Sequence, residues 1–430
     1  MQIQTAKGVR DIYPEEGIIL EGALSVLRKN FALFGFNPLD TPILEMFETL
    51  SSKYTGGAEI LKETFKLTDQ GKRELGLRYD LTVPFARFVA TNPVLKMPFK
   101  RYQIGRVFRD GPITANRLRE FTQCDCDIVG TKSIAADAEC VELFLRCFAD
   151  LELPVVVRVN NRKILDSVMD VLKIKYDLRE RVILAVDKLD KKSVVEVQKE
   201  IAELGISSAV ISKLFEVLNA TGGNPKVLAI VEKLIGKENE GLKELRELLE
   251  LCNSDDVVFV PSLARGLAYY TGSIFEVYVK NGSIKSSIGS GGRYDKMISQ
   301  LMGSPQEYPA VGCSFGLDVI LNALKAKQTE KGISKSVVQV YVVPIGLRLT
   351  QVWPVVSALR EKGISTDVSF AGKGVSKGLD FASKLGIPYV AIIGDKELAE
   401  EKVMLKDMNS GTEQLLSLSE VMKKMKSGEK

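Results

Sequence analysis

Residues 108–130 read "FRDGPITANRLREFTQCDCDIVG" and concentrate charge of both signs. Arg109, Arg117 and Arg119 come first, then Gln123, Asp125 and Asp127 at every second position. If 118–128 is a strand, its period of two aligns Arg119, Phe121, Gln123, Asp125 and Asp127 on one face. The intervening "DGPITAN" carries the Gly, Pro and Asn of a turn, so a hairpin would bring Arg109 beside that row. Guanidinium forks suit phosphate oxygens, and a phenyl ring offers a base a stacking face. A carboxamide and two carboxylates suit an ammonium or a protonatable nitrogen. A solvated hairpin laced with surface ion pairs would show the same pattern.

Three other stretches hold candidate groups. In "RYDLTVPFAR", Asp80 and Thr82 on one strand face could bind an amino group, or mark a structural turn. In "LARGLAYYTGSIFE", Arg265 precedes the paired Tyr269 and Tyr270, residues that commonly pack half-buried. "GSGGRYD" could cradle a phosphate or end a strand.

Absence of a residue type narrows the chemistry further. The 430 residues contain no histidine, which excludes Ser-His-Asp, Cys-His and HExxH mechanisms and any imidazole metal ligand. The six cysteines show neither CxxC spacing nor a regular framework, so they read as reduced, buried thiols. A net charge of +4 is too small to prove a nucleic-acid partner but leaves room for a local basic surface. No stretch approaches the roughly 18 apolar residues of a membrane span, and the start lacks a signal-peptide core, so a cytoplasmic protein with no membrane contact is expected.

The elements that must position these groups follow from periodicity. Residues 18–34 read as an amphipathic helix, 65–88 as strand, turn, strand and helix, 98–130 as two strands, and 135–150 as a helix. "PVVVRVNNRKILDSVM" turns from strand to helix at Asn160 and Asn161, both good N-caps. Residues 173–252 are helical throughout and read as an inserted helical domain. Strand patterns resume through "SIFEVYV", "SSIGSGGRYD" and "AVGCSFGLD". The charged stretch 327–336 reads as a linker, and 337–430 as a separate α/β domain in which strands and helices alternate.

Taken together, "LRYDLTVPFAR", "GRVFRDGPITANRLREFTQCDCDIVG", "ARGLAYYTGSIFE", "GGRYD" and "AVGCSFGLD" resemble, in this order, the histidyl-tRNA synthetases of the class II aminoacyl-tRNA synthetase type. The "RDGP" and "QCDCD" variant looks most like the archaeal and eukaryotic branch. The resemblance implies an α+β fold: an antiparallel six-stranded catalytic sheet flanked by helices (1–172 and 253–326), the helical insertion at 173–252, and a C-terminal α/β anticodon-binding domain at 337–430. It also implies a homodimer joined around "FNPLDTPILE".

The implied reaction joins L-histidine to tRNA(His) through a histidyl-adenylate, with ATP as substrate and Mg²⁺, and with no resident metal site. An alternative is a synthetase-like regulatory paralogue of histidine biosynthesis, which keeps the fold without aminoacylation.

By the same resemblance, Arg109 holds the α-phosphate, Arg117 the outer phosphates, and Arg265 the carboxylate and α-phosphate, with Phe121 under the adenine. Asp80, Leu81, Thr82 and Gln123 grip the α-amino group. Asp127 and Tyr270 bond the imidazole, and Tyr269 and Tyr294 line the pocket. One departure stands out: Val319 follows "GLD" where the family usually has an ATP-contacting arginine, a loss for which Arg293 is a candidate substitute.

Overall fold

The computed structural model describes residues 3–51, 61–114, 118–190, 192–264, 269–280, 284, 286–303, 306–328, 335–370 and 374–427. The chain forms two compact units, Met1–Asp11 with Ala23–Ala323, and Ile12–Gly22 with Leu324–Lys430. Strands of the larger unit are, in chain order, β1 (Asn37–Pro38), β2 (Leu44–Met46), β3 (Lys66–Thr68), β4 (Glu74–Leu77), β5 (Phe99–Phe108), β6 (Glu120–Val129), β7 (Val155–Asn161), β8 (Val257–Phe259), β9 (Ser273–Val279), β10 (Gly289–Arg293) and β11 (Ala310–Gly316).

Eight of these strands form one sheet in the order β1-β5-β6-β11-β10-β9-β7-β8. The inner six, from β5 to β7, pair antiparallel throughout. Among the described residues these are the six antiparallel strands expected, extended by one short strand at each edge. Strands β1 and β8 add parallel pairs at the two edges, and with two and three residues they are too brief to leave a periodic trace in sequence. A second, three-stranded sheet runs β2-β4-β3.

Alternation along the strands gives the large sheet one dry face and one polar face. On the dry side Cys124 and Cys126 of β6 and Phe315 of β11 are buried. Phe315 meets Phe31 of helix Pro14–Leu33 at 5.6 Å between ring centroids, and Phe144 and Phe148 of helix Ile134–Asp150 at 4.7 and 5.7 Å. Each such ring contributes about 1.5–3 kcal/mol by leaving water. The cysteines are free thiols, and burial pushes Cys126 up to about 12, so it stays protonated and inert.

An ion pair fixes the helix Ile134–Asp150 to β10. Arg293 is 3% exposed and Asp137 fully buried. Arg293 Nε donates to both Asp137 oxygens at 3.1 and 3.2 Å, and Nη1 donates to the Thr131 carbonyl at 3.0 Å. All of its reach is spent inside the protein, so Arg293 cannot substitute for the arginine missing at Val319. Asp137→Ala strands a buried cation and is expected to cost about 3–5 kcal/mol in chemical denaturation, whereas replacing both partners with Leu and Met should cost far less.

Regular structure from Tyr176 to Cys252 is helical, beginning with helix Tyr176–Val186 and ending with helix Glu240–Cys252. Local chemistry explains the starts. Asn161 accepts from Lys163 N at 3.0 Å to cap helix Arg162–Val171, and Ser193 with Glu196 forms a reciprocal capping box on helix Val194–Ala202.

The smaller unit holds β12 (Val340–Pro344), β13 (Thr366–Val368), β14 (Tyr389–Ile393), β15 (Lys402–Asp407) and β16 (Glu413–Ser417), in the order β13-β12-β14-β15-β16. The first three are parallel and the last two antiparallel. Helices Leu349–Glu361 and Leu418–Ser427 contribute Val352, Val356, Leu359, Val421 and Met425 to a core with Val340, Val342 and Ile393.

Candidate active site

The polar face of the large sheet opens into a cavity of about 430 Å³. Its walls include Asp80, Thr82, Arg109, Gln123, Asp127, Tyr269, Tyr270 and Tyr294, eight of the residues named from sequence. Segments far apart in the chain supply them, because neighbouring β6, β11 and β10 place alternate residues on one face.

Strand β6 delivers the row as expected. Gln123, Asp125 and Asp127 all face the cavity, and Asp125 and Asp127 are 4% and 3% exposed. At the deep end Tyr294 donates its hydroxyl to Asp127 Oδ1 at 2.5 Å, while Arg101 of β5 lies 2.6 Å from Oδ2. Register makes this meeting possible: Asp127 pairs with Arg101 on one side and Gly312 on the other. A Cβ at Gly312 would fall 2.1 Å from Asp127 Oδ1, so the carboxylate lies where only a glycine leaves space.

Burial raises the Asp127 carboxyl above the usual range, and Arg101 and the Tyr294 hydroxyl pull it back. Asp125 is pushed up to about 7, first by burial, with Asp127 adding to the rise and Arg101 and the Ser314 hydroxyl opposing it. Such a group holds its proton in the folded state over a range where the unfolded chain has lost it. Its stabilising contribution is whole below about pH 4 and gone once the pH passes about 7. Asp125→Asn is expected to flatten this part of the profile. Urea midpoints of wild type and variant near pH 5 and pH 8 would show it as a wild-type loss that the variant lacks.

Asp80 and Thr82 reach the cavity by a different route from the expected strand face. Strand β4 ends at Leu77, and Thr82 opens helix Thr82–Thr91, with Asp80 Oδ1 accepting from Val83 N at 3.0 Å. Leu81 between them is fully buried and is not among the lining residues of the cavity; its carbonyl accepts from Arg101 Nη2 at 3.3 Å. Tyr269 and Tyr270 pack as a tilted pair with ring centroids 4.7 Å apart, and Tyr294 meets Tyr269 edge-on at 6.3 Å.

Arg109 stands at the cavity wall between two rings. Its guanidinium carbon lies 4.2 Å from the Tyr79 ring centroid and 4.8 Å from that of Phe121. Phe121 therefore backs Arg109 and does not line the cavity. "GSGGRYD" ends a strand, β10 stopping at Arg293: Ser290 and Gly292 line the cavity, and a Cβ at Gly292 would come within 2.8 Å of the Tyr270 ring. Arg117 and Arg265 lie outside the described residues. Sequence reading missed Arg101, Tyr79, Asp187, Ser290 and Ser314. Arg101 and Ser314 lie on strands beside the β6 row, and the pairing of β5 and β11 with β6 is the signal that finds them.

Residues 8–320 match the family description "Histidyl-tRNA synthetase". The chain belongs to the histidyl-tRNA synthetase family. Residues 339–428 of this synthetase-family chain also match the description "Anticodon binding domain". A "Histidine–tRNA ligase 1" of Bacillus anthracis is 42% identical over 425 residues, covering 97% of this chain and 99% of that one. A crystal structure of histidyl-tRNA synthetase from Nostoc sp. PCC 7120 superimposes with a TM-score of 0.89 at 28% identity, covering 99% of each chain. An ATP phosphoribosyltransferase regulatory subunit/histidyl-tRNA synthetase from Bacillus halodurans C gives 0.75 at 23% identity over 91% of this chain and 98% of that one, a likeness of fold alone.

Proposed function

We propose that this chain is a histidine–tRNA ligase: it activates L-histidine with ATP to a histidyl-adenylate, releasing pyrophosphate, and passes the histidyl group to tRNA(His), releasing AMP. The observation that carries the reading is the cavity, in which an acceptor-rich floor ending at Asp127 lies on the same sheet face as Arg109.

The first step is attack of a carboxylate, already ionised, on the α-phosphorus. No acid or base is needed, so the lack of histidine removes nothing; the protein must bring two anions together and neutralise them. Arg109 is read as the α-phosphate cation, Arg265 as a second cation shared with the carboxylate, and Arg117 as a contact to the outer phosphates. The reading of Phe121 as the ring under the adenine rests on the family resemblance, since its place in the fold is behind Arg109. Asp80, Thr82 and Gln123 accept from the α-ammonium, and Asp127 and Tyr270 pair with the imidazole nitrogens. A cavity that satisfies both nitrogens rejects other amino acids by leaving buried groups unpaired, by roughly 10⁴-fold. Mg²⁺ is read as arriving on the nucleotide's phosphates, as is usual for an ion that keeps its waters. Among the described residues no three metal-binding side chains cluster, and no step is routed through a resident ion.

The regulatory-paralogue alternative is not favoured, given 42% identity over nearly the whole length of a histidine–tRNA ligase and the anticodon-domain match. The division into a catalytic domain (1–172, 253–326), insertion (173–252), linker (327–336) and anticodon domain (337–430) is proposed with the function. So is a homodimer, for which Ile43, Leu44, Met46 and Leu67 offer an exposed apolar surface around the three-stranded sheet. A cytoplasmic location is proposed from the family; no helix among the described residues is long and apolar enough to cross a membrane. The archaeal- and eukaryotic-like character of "RDGP" and "QCDCD" stays a reading of those segments, which the Bacillus relatives do not support. Charging of tRNA with labelled histidine tests the whole proposal. Histidyl-tRNA is expected, and folded protein that binds tRNA(His) without charging it would revive the paralogue.

A further inference from the structure

Arg101 on β5 is the largest fully buried side chain among the described residues, and none of the roles above uses it. Its Nη2 lies 2.6 Å from Asp127 Oδ2 and donates to the Leu81 carbonyl at 3.3 Å. The guanidinium carbon sits 4.2 Å over the Phe85 ring. Nε and Nη1 find no hydrogen-bond partner among the described residues. A cation taken fully out of water costs several kcal/mol, and two nitrogens with unmet N–H groups add to that, so packing alone would be better served by leucine or methionine.

What Arg101 touches explains why it is kept. One guanidinium reaches both ends of the ligand site: Asp127, at the imidazole end, and the Asp80-Leu81-Thr82 turn, at the ammonium end. Several groups face Asp127. Arg101 comes from β5, Asp125 from β6 itself, Tyr294 from the residue after β10, and Asp80 from the turn, while β11 presents only Gly312 opposite it. Arg101 is the cation among these; the others are acids or neutral donors.

We propose that Arg101 is a positioning residue for histidine recognition, clamping Asp127 to the Leu81 turn so that its carboxylate is presented as an acceptor to an imidazole N–H. The proposal rests on the histidine-activating reading of the cavity. Without Arg101, burial and the Asp80 carboxylate act on Asp127 opposed only by the Tyr294 hydroxyl, so its carboxyl is held further above its usual range and takes up a proton more readily. A protonated, unclamped Asp127 is a poor acceptor, and histidine binding becomes sensitive to pH.

The test is histidine-dependent ATP–pyrophosphate exchange by wild type, Arg101→Gln and Arg101→Lys, with KM for histidine, KM for ATP and kcat followed from about pH 6 to about pH 9. For Arg101→Gln, KM for histidine is expected to rise about 30-fold at neutral pH while KM for ATP changes less than about twofold. The ratio of variant to wild-type KM for histidine should fall as the pH rises. Arg101→Lys, which keeps the charge on a shorter and less directional donor, should recover most of the loss. A merely structural arginine would lower the melting temperature and leave that ratio flat; a flat ratio, or equal changes in both KM values, overturns the proposal. If the glutamine variant does not fold, the lysine variant decides by whether its KM rises for histidine selectively. Wild type that shows no histidine-dependent exchange would defeat the functional reading itself, before Arg101 is in question.

Discussion

Arg109→Ala is expected to lower kcat/KM for ATP by about 10³-fold in the exchange reaction, with the fold intact. The structure gives the reason. Arg109 follows β5, and its backbone N donates to the Arg119 carbonyl at 2.8 Å, closing the base of the hairpin. Tyr79 and Phe121 hold the guanidinium through their ring faces, and Nε donates to the Tyr79 carbonyl at 3.4 Å. The cation is therefore held in place by the protein itself, so on the proposed reading it needs no reorganisation as charge gathers on the α-phosphate. Alanine keeps the backbone bond and loses the fork. Arg109→Lys keeps a charge but neither the stacking nor the planar donors, and should lose about 10²-fold. Steady-state exchange kinetics beside a circular dichroism melt separate chemistry from folding. A loss under tenfold for alanine would remove Arg109 from the phosphate site.

Asp127→Ala should be costly twice over. It leaves Arg101 fully buried without its counter-ion, an expected loss of about 3–5 kcal/mol in urea denaturation. It also removes the acceptor at the deep end of the cavity, so the folded fraction should bind histidine poorly, with KM raised about 100-fold or more and KM for ATP close to wild type. Asp127→Asn fills the space and can still accept through its carbonyl, so its stability loss should be smaller, while its single acceptor oxygen must serve both Tyr294 and the ligand. Wild-type stability in Asp127→Ala would mean that the Arg101 pair contributes little. An unchanged KM for histidine would place the imidazole elsewhere.

Much of this site is legible in the chain because β6 is long and alternates without a bulge. Its ten residues keep Gln123, Asp125 and Asp127 on one face and Cys124 and Cys126 on the other. The Asn161 cap and the helical run to Cys252 are equally local signals. The rest depends on contacts between distant segments. Arg101 sits in "FKRYQIGRVF", where a charged residue in a strand reads as solvent-facing; the register with Asp127 is what shows it to be buried. Arg293 misleads in the same way, since Asp137 lies 156 positions earlier on a helix. Asp80 and Thr82 are readable either as a strand-face pair or as a structural turn ahead of a helix, and the fold takes the second, with helix Thr82–Thr91 starting at Thr82. Strand β16 and the helix Leu418–Ser427 escaped notice because "EQLLS" is mostly exposed and its pairing with β15 is a tertiary matter.

The most direct measurement is amino-acid-dependent ATP–pyrophosphate exchange by the purified wild-type chain, run with each of the standard amino acids and repeated with Arg265→Ala. The account predicts rapid exchange with histidine, exchange with every other amino acid lower by roughly 10⁴-fold, and near-total loss in the variant. Folded wild-type protein that gives no exchange with histidine, or that exchanges equally well with another amino acid, would contradict it.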